Sequence, residues 1–148
     1  MKITKITNNS LETTLLGEEM AKKILKNRQN KKAQILALQG GLGTGKTTFL
    51  QGFAKGLGVK ERVLSPTFVI FKKFKIQDSF FNLFYHIDCY RLKNSKDLLS
   101  LGFEEFYSNP QNIIAIEWAE IIEEILPKNK ISIRFEFKDE KRRTITIK

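Results

Sequence analysis

Residues 40–47 read Gly-Gly-Leu-Gly-Thr-Gly-Lys-Thr, a complete match to the P-loop pattern of a glycine, four residues and then Gly-Lys-Thr. In that pattern the glycines let backbone N–H groups turn inward around phosphate oxygens. Lys46 reaches the β- and γ-phosphates, and the hydroxyl of Thr47 ligates Mg²⁺. The alternative is a glycine turn between a strand and a helix, which needs neither the lysine nor the threonine. We therefore predict a nucleotide site made by Gly43, Thr44, Gly45, Lys46, Thr47 and Thr48.

Two acidic residues stand at the ends of predicted strands, where they could complete the chemistry of a P-loop. Hydrolysis of a nucleotide needs an acid near Mg²⁺ and a group that positions water. Glu117 follows four apolar residues, so we expect it at the carboxyl edge of a buried strand, holding Mg²⁺ directly or through water. Asp88 could orient the attacking water or the metal's ligands. The alternatives are a surface Glu117 that begins a helix and an Asp88 that anchors a loop, and which acid lies nearer the metal stays open.

Polar and aromatic residues surround these two acids in the sequence. His86, Asp88 and Tyr90 alternate along a predicted strand and should share one face. Because His86 is the only histidine, we expect it to support its neighbours by hydrogen bonding rather than to bind metal. Arg91 could contact a phosphate or pair with an acid. Trp118 could pack over the site, face a partner or belong to the core.

The segment Ser65-Pro66-Thr67 lies between the P-loop helix and the next predicted strand. GTPases place their first switch at that point of the chain, so Thr67 could sense the γ-phosphate or Mg²⁺. The alternative is a turn whose backbone Pro66 fixes.

The elements that must position these residues alternate between helices and strands. We predict strands over 33–39, 69–76, 80–88, 112–117, 131–137 and 144–148, and helices over 11–27, 47–57, 95–102, 104–107 and 119–126. The strands form two hairpins, 69–88 and 131–148, which would make the sheet mixed. The fold class is therefore α/β: a single P-loop NTPase-like, three-layer domain with a mixed, partly antiparallel central sheet.

Periodicity within the predicted elements indicates which residues are buried. Ser10 and Ser95 are the expected caps of the first and third helices, and Lys46 is expected to face solvent and phosphate. The aromatic residues of the first hairpin could stack on bases, but their alternation favours a core position. The face of the first helix that should cover the sheet contains Leu11, Leu15, Met20, Ile24 and Leu25.

Composition limits the class of protein. The 148 residues carry a net charge of +10, and the spread of the lysines favours a solvated surface over a nucleic-acid partner. An acidic protein partner would also fit this charge. No apolar run approaches the roughly 20 residues of a membrane span, and residues 1–4 do not begin a signal peptide. The single cysteine, Cys89, allows no disulfide framework and is expected to be a small buried residue. We expect a cytoplasmic protein with no membrane association.

Together the motifs resemble those of the TsaE (YjeE) family, P-loop ATPases of bacterial tRNA threonylcarbamoyladenosine synthesis. The resemblance rests on 40–48, on 65–67, on His86-x-Asp88-x-Tyr90-Arg91-Leu92 and on Glu117-Trp118, and it extends more loosely to 10–17 and the closing hairpin. The departures are Gly41, Thr44 and Cys89, which stand where the family often has an acid, alanine and leucine. None of them removes a group that has been assigned to the chemistry.

The resemblance implies that the protein binds ATP and Mg²⁺, hydrolyses ATP slowly alone and acts with the TsaB and TsaD proteins. That complex transfers threonylcarbamoyl to the adenosine beside the anticodon, so tRNA would be met through the complex. In this interpretation Lys46 and Thr47 hold phosphate and Mg²⁺, Glu117 ligates Mg²⁺, and Asp88 and Trp118 are needed for activity. The region 10–13 would contribute to the adenine site.

Other functions remain open from the residues alone. The segment 129–132 has Ser132 where a guanine-specific motif needs Asp, which favours ATP. A small-molecule kinase would need an arginine-rich lid, and Arg142-Arg143 is the only adjacent arginine pair. A non-catalytic nucleotide-dependent binding switch and a direct nucleic-acid-binding protein are the remaining alternatives.

Overall fold

A computed structural model describes residues 2–28, 30–64 and 70–148. The strands in these ranges are β1 (Ile3–Thr7), β2 (Gln34–Gln39), β3 (Phe71–Lys75), β4 (Leu83–Asp88), β5 (Asn112–Glu117), β6 (Ile131–Phe137) and β7 (Arg143–Ile147). The helices are α1 (Ser10–Lys26), α2 (Lys46–Gly56), α3 (Ser95–Leu99) and α4 (Phe103–Ser108), with a 3₁₀ helix over Ala119–Ile125. The predicted switch segment, Ser65-Pro66-Thr67, lies outside the described residues.

The seven described strands form one mixed sheet in the order β1-β7-β6-β2-β5-β4-β3. Its centre is parallel, because β2 pairs in parallel with both β5 and β6, and β5 pairs in parallel with β4. The outer pairs β3–β4, β6–β7 and β1–β7 are antiparallel. The carboxyl ends of β2, β4 and β5 therefore meet at one edge of the sheet, where ligands bind in open α/β folds.

Helices cover both faces of the sheet. On β2, Leu36 and Leu38 pack in the cluster that contains α1 and α2, whereas Ile35 and Ala37 pack in the cluster that contains α3, α4 and the 3₁₀ helix. This alternation is what the period of two along a strand requires when a sheet is covered on both sides. The predicted three-layer α/β fold with a mixed sheet is confirmed.

Small residues set the contact between α1 and α2. A Cβ added at Gly17 would lie 2.1 Å from the carbonyl oxygen of Phe49, and one at Gly52 would lie 1.9 Å from that of Thr14. The predicted face of α1 was wrong for Leu11 and Leu15, which are 64% and 50% exposed. The helix is instead rotated so that a side with small residues faces α2. The buried residues of α1 are Thr13, Leu16, Gly17, Ala21 and Ile24.

Two predicted caps shift by one residue. Asn9, not Ser10, caps α1: its side chain accepts a hydrogen bond from the backbone N–H of Glu12 at 2.9 Å. Asn94, not Ser95, caps α3, while Ser95 is buried and donates to Oε1 of Glu124 at 2.6 Å. Asparagine caps at least as well as serine, so the choice between adjacent residues depends on tertiary contacts.

Two elements differ from the sequence prediction. The segment Ala119–Ile125 forms a 3₁₀ helix with a non-helical residue at Ile122, rather than an α-helix. The strand β1 was not predicted, because only Thr7 of its five residues is buried and the strand lies at the edge of the sheet. Among the described helices, none is long and apolar enough to cross a membrane.

Candidate functional site

A cavity of about 490 Å³ lies at the sheet edge where β2, β4 and β5 end. All the predicted site residues line it: the P-loop residues 43–48, Asp88, Glu117 and Trp118. Its size is in the range of small-molecule and cofactor sites. The remaining wall comes from α1 and the β6–β7 hairpin and from neighbouring loops; its residues are Asn9, Ser10, Thr13, Leu42, Ile70, Tyr90, Arg91, Lys141 and Arg143.

The backbone of the P-loop has a shape that suits anion binding. Gly43 and Gly45 have φ angles of 74° and 102°, in the left-handed region that favours glycine. Gly45 directly precedes α2, and no side chain caps that helix. The first N–H groups of α2 are therefore left for a ligand, and the helix dipole favours an anion there.

Lys46 is held inside the site. Its side chain is covered, with 5% of the residue exposed, because Nζ donates to the carbonyl of Gly40 and lies 4.3 Å from the ring centroid of Trp118. The expectation that Lys46 faces solvent was wrong for this reason. Burial lowers the pKa of its ammonium, although the carboxylates of Glu117, Glu120 and Asp88 act in the opposite direction. The cation is thus desolvated, which strengthens its attraction for phosphate.

Trp118 reaches the lysine through an unusual backbone conformation. Its φ of 57° and ψ of 41° are left-handed, which no other non-glycine residue in the described ranges adopts. Such a conformation costs of the order of 1–2 kcal/mol for an L-residue, and strain of this kind concentrates at functional sites. The turn places the indole over Lys46 and 5.1 Å from the ring of Tyr90. Of the open alternatives for Trp118, packing over the site describes its position.

Glu117 is a buried acid. It is 3% exposed, and its Oε2 lies 2.7 Å from Nε2 of His86, which has no exposed surface. The surface alternative for Glu117 is therefore wrong, and His86 has the hydrogen-bonding role expected of it. The Nδ1 atom of His86 is buried and has no hydrogen-bond partner among the described residues.

The second acid lies beside the first. Asp88 and Glu117 are register partners on the parallel strands β4 and β5, and the N–H of Cys89 donates to the carbonyl of Glu117 at 3.0 Å. Oδ1 of Asp88 accepts from the N–H of Tyr90 at 2.9 Å, which fixes the carboxylate at the strand end. The sheet therefore brings the two carboxylates together next to the P-loop, as the sequence predicted.

Within the described residues, no group of three or more His, Cys, Asp and Glu could hold a metal by itself. Mg²⁺ in phosphate-binding sites uses one or two protein oxygens together with phosphates and water. Thr47 and Glu117, which both line the cavity, supply oxygens of that kind.

Cys89 is fully buried, as expected, and burial raises the pKa of its thiol to about 12.

Three polar or charged residues of the cavity wall were not predicted as site residues. Asn9 is the cap of α1, and Lys141 and Arg143 come from the β6–β7 hairpin. Nη2 of Arg143 donates to the carbonyl of Gly43 in the P-loop at 3.2 Å. No local signal in the sequence indicates this contact, because it joins residues 100 positions apart.

Comparison with known proteins places the chain in a family. Residues 7–145 match the sequence model of a family described as "Threonylcarbamoyl adenosine biosynthesis protein TsaE". A Bacillus subtilis protein named "tRNA threonylcarbamoyladenosine biosynthesis protein TsaE" is 40% identical over 116 residues, 78% of this chain and 70% of that protein. A Rickettsia felis protein of the same name is 36% identical over 143 residues, 96% of this chain and 77% of that protein.

A solved structure supports the same relationship. The crystal structure of YdiB from Bacillus subtilis matches with a TM-score of 0.74 and 31% sequence identity, over 99% of this chain and 84% of that chain. The sequence and fold similarities therefore agree, and the chain belongs to the TsaE family.

Proposed function

We propose that this protein is a Mg²⁺-dependent ATPase that acts, with TsaB and TsaD, in the threonylcarbamoyl modification of the adenosine beside the anticodon of tRNA. The observation that carries the proposal is a single cavity in which a P-loop lysine, Lys46, meets two strand-end carboxylates, Asp88 and Glu117. The pathway follows from the family, since the relatives bear the name of tRNA threonylcarbamoyladenosine biosynthesis proteins.

Binding of the phosphates is the first step of the proposal. The uncapped amino end of α2 and the left-handed glycines offer backbone N–H groups, and Lys46 supplies a desolvated cation next to them. On binding, the ammonium would exchange the carbonyl of Gly40 for phosphate oxygens. Residues 10–13 at the start of α1 would lie near the base, because Ser10 and Thr13 line the same cavity.

The metal and the water define the hydrolytic step. Bound Mg²⁺ would neutralise the charge that develops on the phosphates, with the hydroxyl of Thr47 and the carboxylate of Glu117 as its protein ligands. Oε2 of Glu117 is hydrogen-bonded to His86, and the carboxylate held in this way would serve as the metal ligand. Asp88 would orient the attacking water, and Trp118 would cover the lysine and keep bulk water away.

The protein's contribution to tRNA modification would be indirect. The transfer itself belongs to the TsaB–TsaD complex, and ATP hydrolysis by this chain would support repeated turnover of that complex. A cytoplasmic location follows from this role, since tRNA is modified there. Contact with tRNA would come through the complex, in keeping with basic residues that are spread along the chain rather than clustered.

The decisive experiment measures ATP hydrolysis by the full chain, alone and after addition of TsaB, TsaD and tRNA. Slow turnover that rises on assembly is expected, and a Glu117→Gln preparation measures the background from contaminating ATPases. Good ATP binding without turnover in the assembled complex would support a binding switch instead. Transfer of the phosphoryl group to an added alcohol or nucleoside monophosphate, in place of water, would support a kinase.

A further inference from the structure

We infer that Arg143 is a positioning residue that holds the P-loop in its phosphate-binding conformation. This inference rests on the proposed function, because it concerns how the same site binds nucleotide. It assigns a role to the β6–β7 hairpin, which contributes no residue to the P-loop motif.

The guanidinium of Arg143 is fixed on several sides. Nη2 donates to the carbonyl of Gly43 at 3.2 Å, and the two N–H groups of Nη1 are shared among the carbonyls of Asp139, Glu140 and Arg142, at 3.1, 3.3 and 3.0 Å. The guanidinium carbon also lies 4.4 Å from the ring centroid of Phe137, its partner across the hairpin. The side chain therefore bridges the turn of the hairpin and the P-loop as one rigid connection.

The hairpin also packs against Gly43 and Gly45, two glycines of the loop that have a positive φ. A Cβ built on Gly43 would lie 3.7 Å from Cζ of Phe137, and one built on Gly45 would lie 3.9 Å from Cγ of Arg143. These are ordinary van der Waals distances, so Phe137 and the stem of Arg143 lie directly over the loop. Glycine has the greatest backbone freedom of any residue, and a loop rich in glycine gains most from such an external support.

The hydrogen bond to Gly43 sets the direction of one peptide group. A trans peptide is planar, and its carbonyl and N–H point in opposite directions. Arg143 holds the carbonyl of Gly43 in one direction, and the planar peptide thereby fixes the direction of the N–H of Thr44. A carbonyl that was free to rotate inward would repel phosphate oxygens. Arg143 therefore prepares the loop for an anion before the nucleotide arrives.

The experiment compares full-length wild type with Arg143→Gln and Arg143→Lys by calorimetric titration of ADP and of a non-hydrolysable ATP analogue. Both variants lose the guanidinium that joins Gly43 to the carbonyls of the hairpin. We therefore expect the affinity for both nucleotides to fall by about tenfold, which corresponds to the loss of one charged hydrogen bond. Arg142→Gln is the matched control. Arg142 is the adjacent exposed arginine, and it pairs with Asp139 rather than with the P-loop.

Hydrogen exchange of the nucleotide-free proteins separates positioning from direct contact with the ligand. The N–H groups of Thr44 and Gly45 should exchange faster in the Arg143 variants than in wild type or Arg142→Gln. A loss confined to the ATP analogue, or a loss of affinity with unchanged exchange, would show that Arg143 touches the nucleotide and would overturn the positioning role. Equal affinity in all variants would also overturn it.

Two further results keep the test decisive. If one Arg143 variant fails to fold, the other variant and its exchange rates give the answer, since lysine keeps the charge and glutamine keeps the polarity. If wild type itself binds neither nucleotide, the proposed function fails as well. Binding by wild type with no effect of Arg143 would overturn the positioning role alone.

Discussion

Nε2 of His86 and Oε2 of Glu117 lie 2.7 Å apart, and both side chains are buried where they project from the neighbouring parallel strands β4 and β5. When Glu117 is a carboxylate it only accepts hydrogen bonds, and the N–H at Nε2 of His86 is then the donor. The hydrogen bond fixes the rotation of the carboxylate and engages one of its two oxygens, Oε2. Glu117 can then present the other oxygen to the cavity, where the proposed metal would meet it without a reorganisation of the side chain.

Replacement of His86 should change how the site uses Mg²⁺. Removing a group that orients a metal ligand typically costs 10–100-fold in metal affinity or activity. We therefore expect His86→Ala to require about tenfold more Mg²⁺ for half-maximal ATP hydrolysis, and His86→Gln to recover part of the loss through its amide donor. The measurement is the hydrolysis rate at saturating ATP over a series of Mg²⁺ concentrations. A folded His86→Ala with a wild-type Mg²⁺ dependence would remove His86 from this role.

Lys46 and Lys55 form a matched pair on the helix α2. Lys46 is buried in the site, whereas the side chain of Lys55 is 77% exposed. Nζ of Lys55 lies 3.3 Å from Oε1 of Glu18 on α1. Lys46→Ala should lower nucleotide affinity at least about tenfold, because a charged contact to phosphate is lost. Lys55→Ala should bind as wild type and lose less than about 1 kcal/mol of stability, the usual range for an exposed ion pair.

Titration with ADP and thermal unfolding of both lysine variants check this prediction. The fold of Lys46→Ala should persist, since the substitution takes a desolvated cation out of the site. Equal ADP affinity in Lys46→Ala and Lys55→Ala would contradict the assigned role of Lys46.

The parts of this site that the sequence predicts are those that are local in the chain. The P-loop can be recognised from residues 40–47 alone, because its spacing and its flanking strand and helix are all contiguous. Glu117 and Asp88 can be placed at the sheet edge because each ends an apolar strand. Their convergence then follows from the parallel register of β4 and β5.

Contacts that depend on the tertiary register could not be predicted. The bond between His86 and Glu117 needs the alignment of two strands, and the contact of Arg143 with Gly43 needs the closing hairpin to fold back over the P-loop. The left-handed backbone of Trp118 has no signal in the sequence, because tryptophan has no preference for it. The exposed positions of Leu11 and Leu15 follow from glycine contacts between helices, which hydrophobic periodicity does not detect.

Those glycine contacts predict an unusual effect of alanine in a helix. Replacing glycine with alanine in an exposed helix stabilises it by about 1 kcal/mol, but at Gly17 and Gly52 the new methyl group would overlap backbone atoms of the other helix. We expect Gly17→Ala and Gly52→Ala each to lower the free energy of unfolding by about 1–3 kcal/mol or more, because α1 and α2 must separate. Urea unfolding measures this change.

Gly41 provides the control for the helix glycines. A Cβ added there meets no atom within 4 Å, so Gly41→Ala should leave the unfolding midpoint close to that of wild type. If Gly17→Ala were more stable than wild type, the close contact of α1 with α2 would be wrong.

The buried thiol of Cys89 predicts a difference between the folded and unfolded chain. Burial, assisted by the charges of Asp88 and Glu120, raises its pKa from the ordinary 9.0 to about 12. At pH 8 the native thiol should therefore resist a disulfide reagent that labels the urea-unfolded chain at once, because only the thiolate reacts. Rapid and complete labelling of the native protein would contradict this burial.

The same shift sets the sign of a pH effect on stability. Well below pH 9 the thiol is almost wholly protonated in both states and contributes little to the pH dependence. Between about pH 9 and 12 the unfolded chain loses the proton while the native protein keeps it, so the stability falls as the pH rises. The slope from this group approaches about 1.4 kcal/mol per pH unit. Urea unfolding at pH 8.5 and 10 should therefore show a larger loss of stability in wild type than in Cys89→Ala, which retains every other group that titrates in this range. An equal loss in both proteins would mean that Cys89 ionises as readily in the native state as in the unfolded chain.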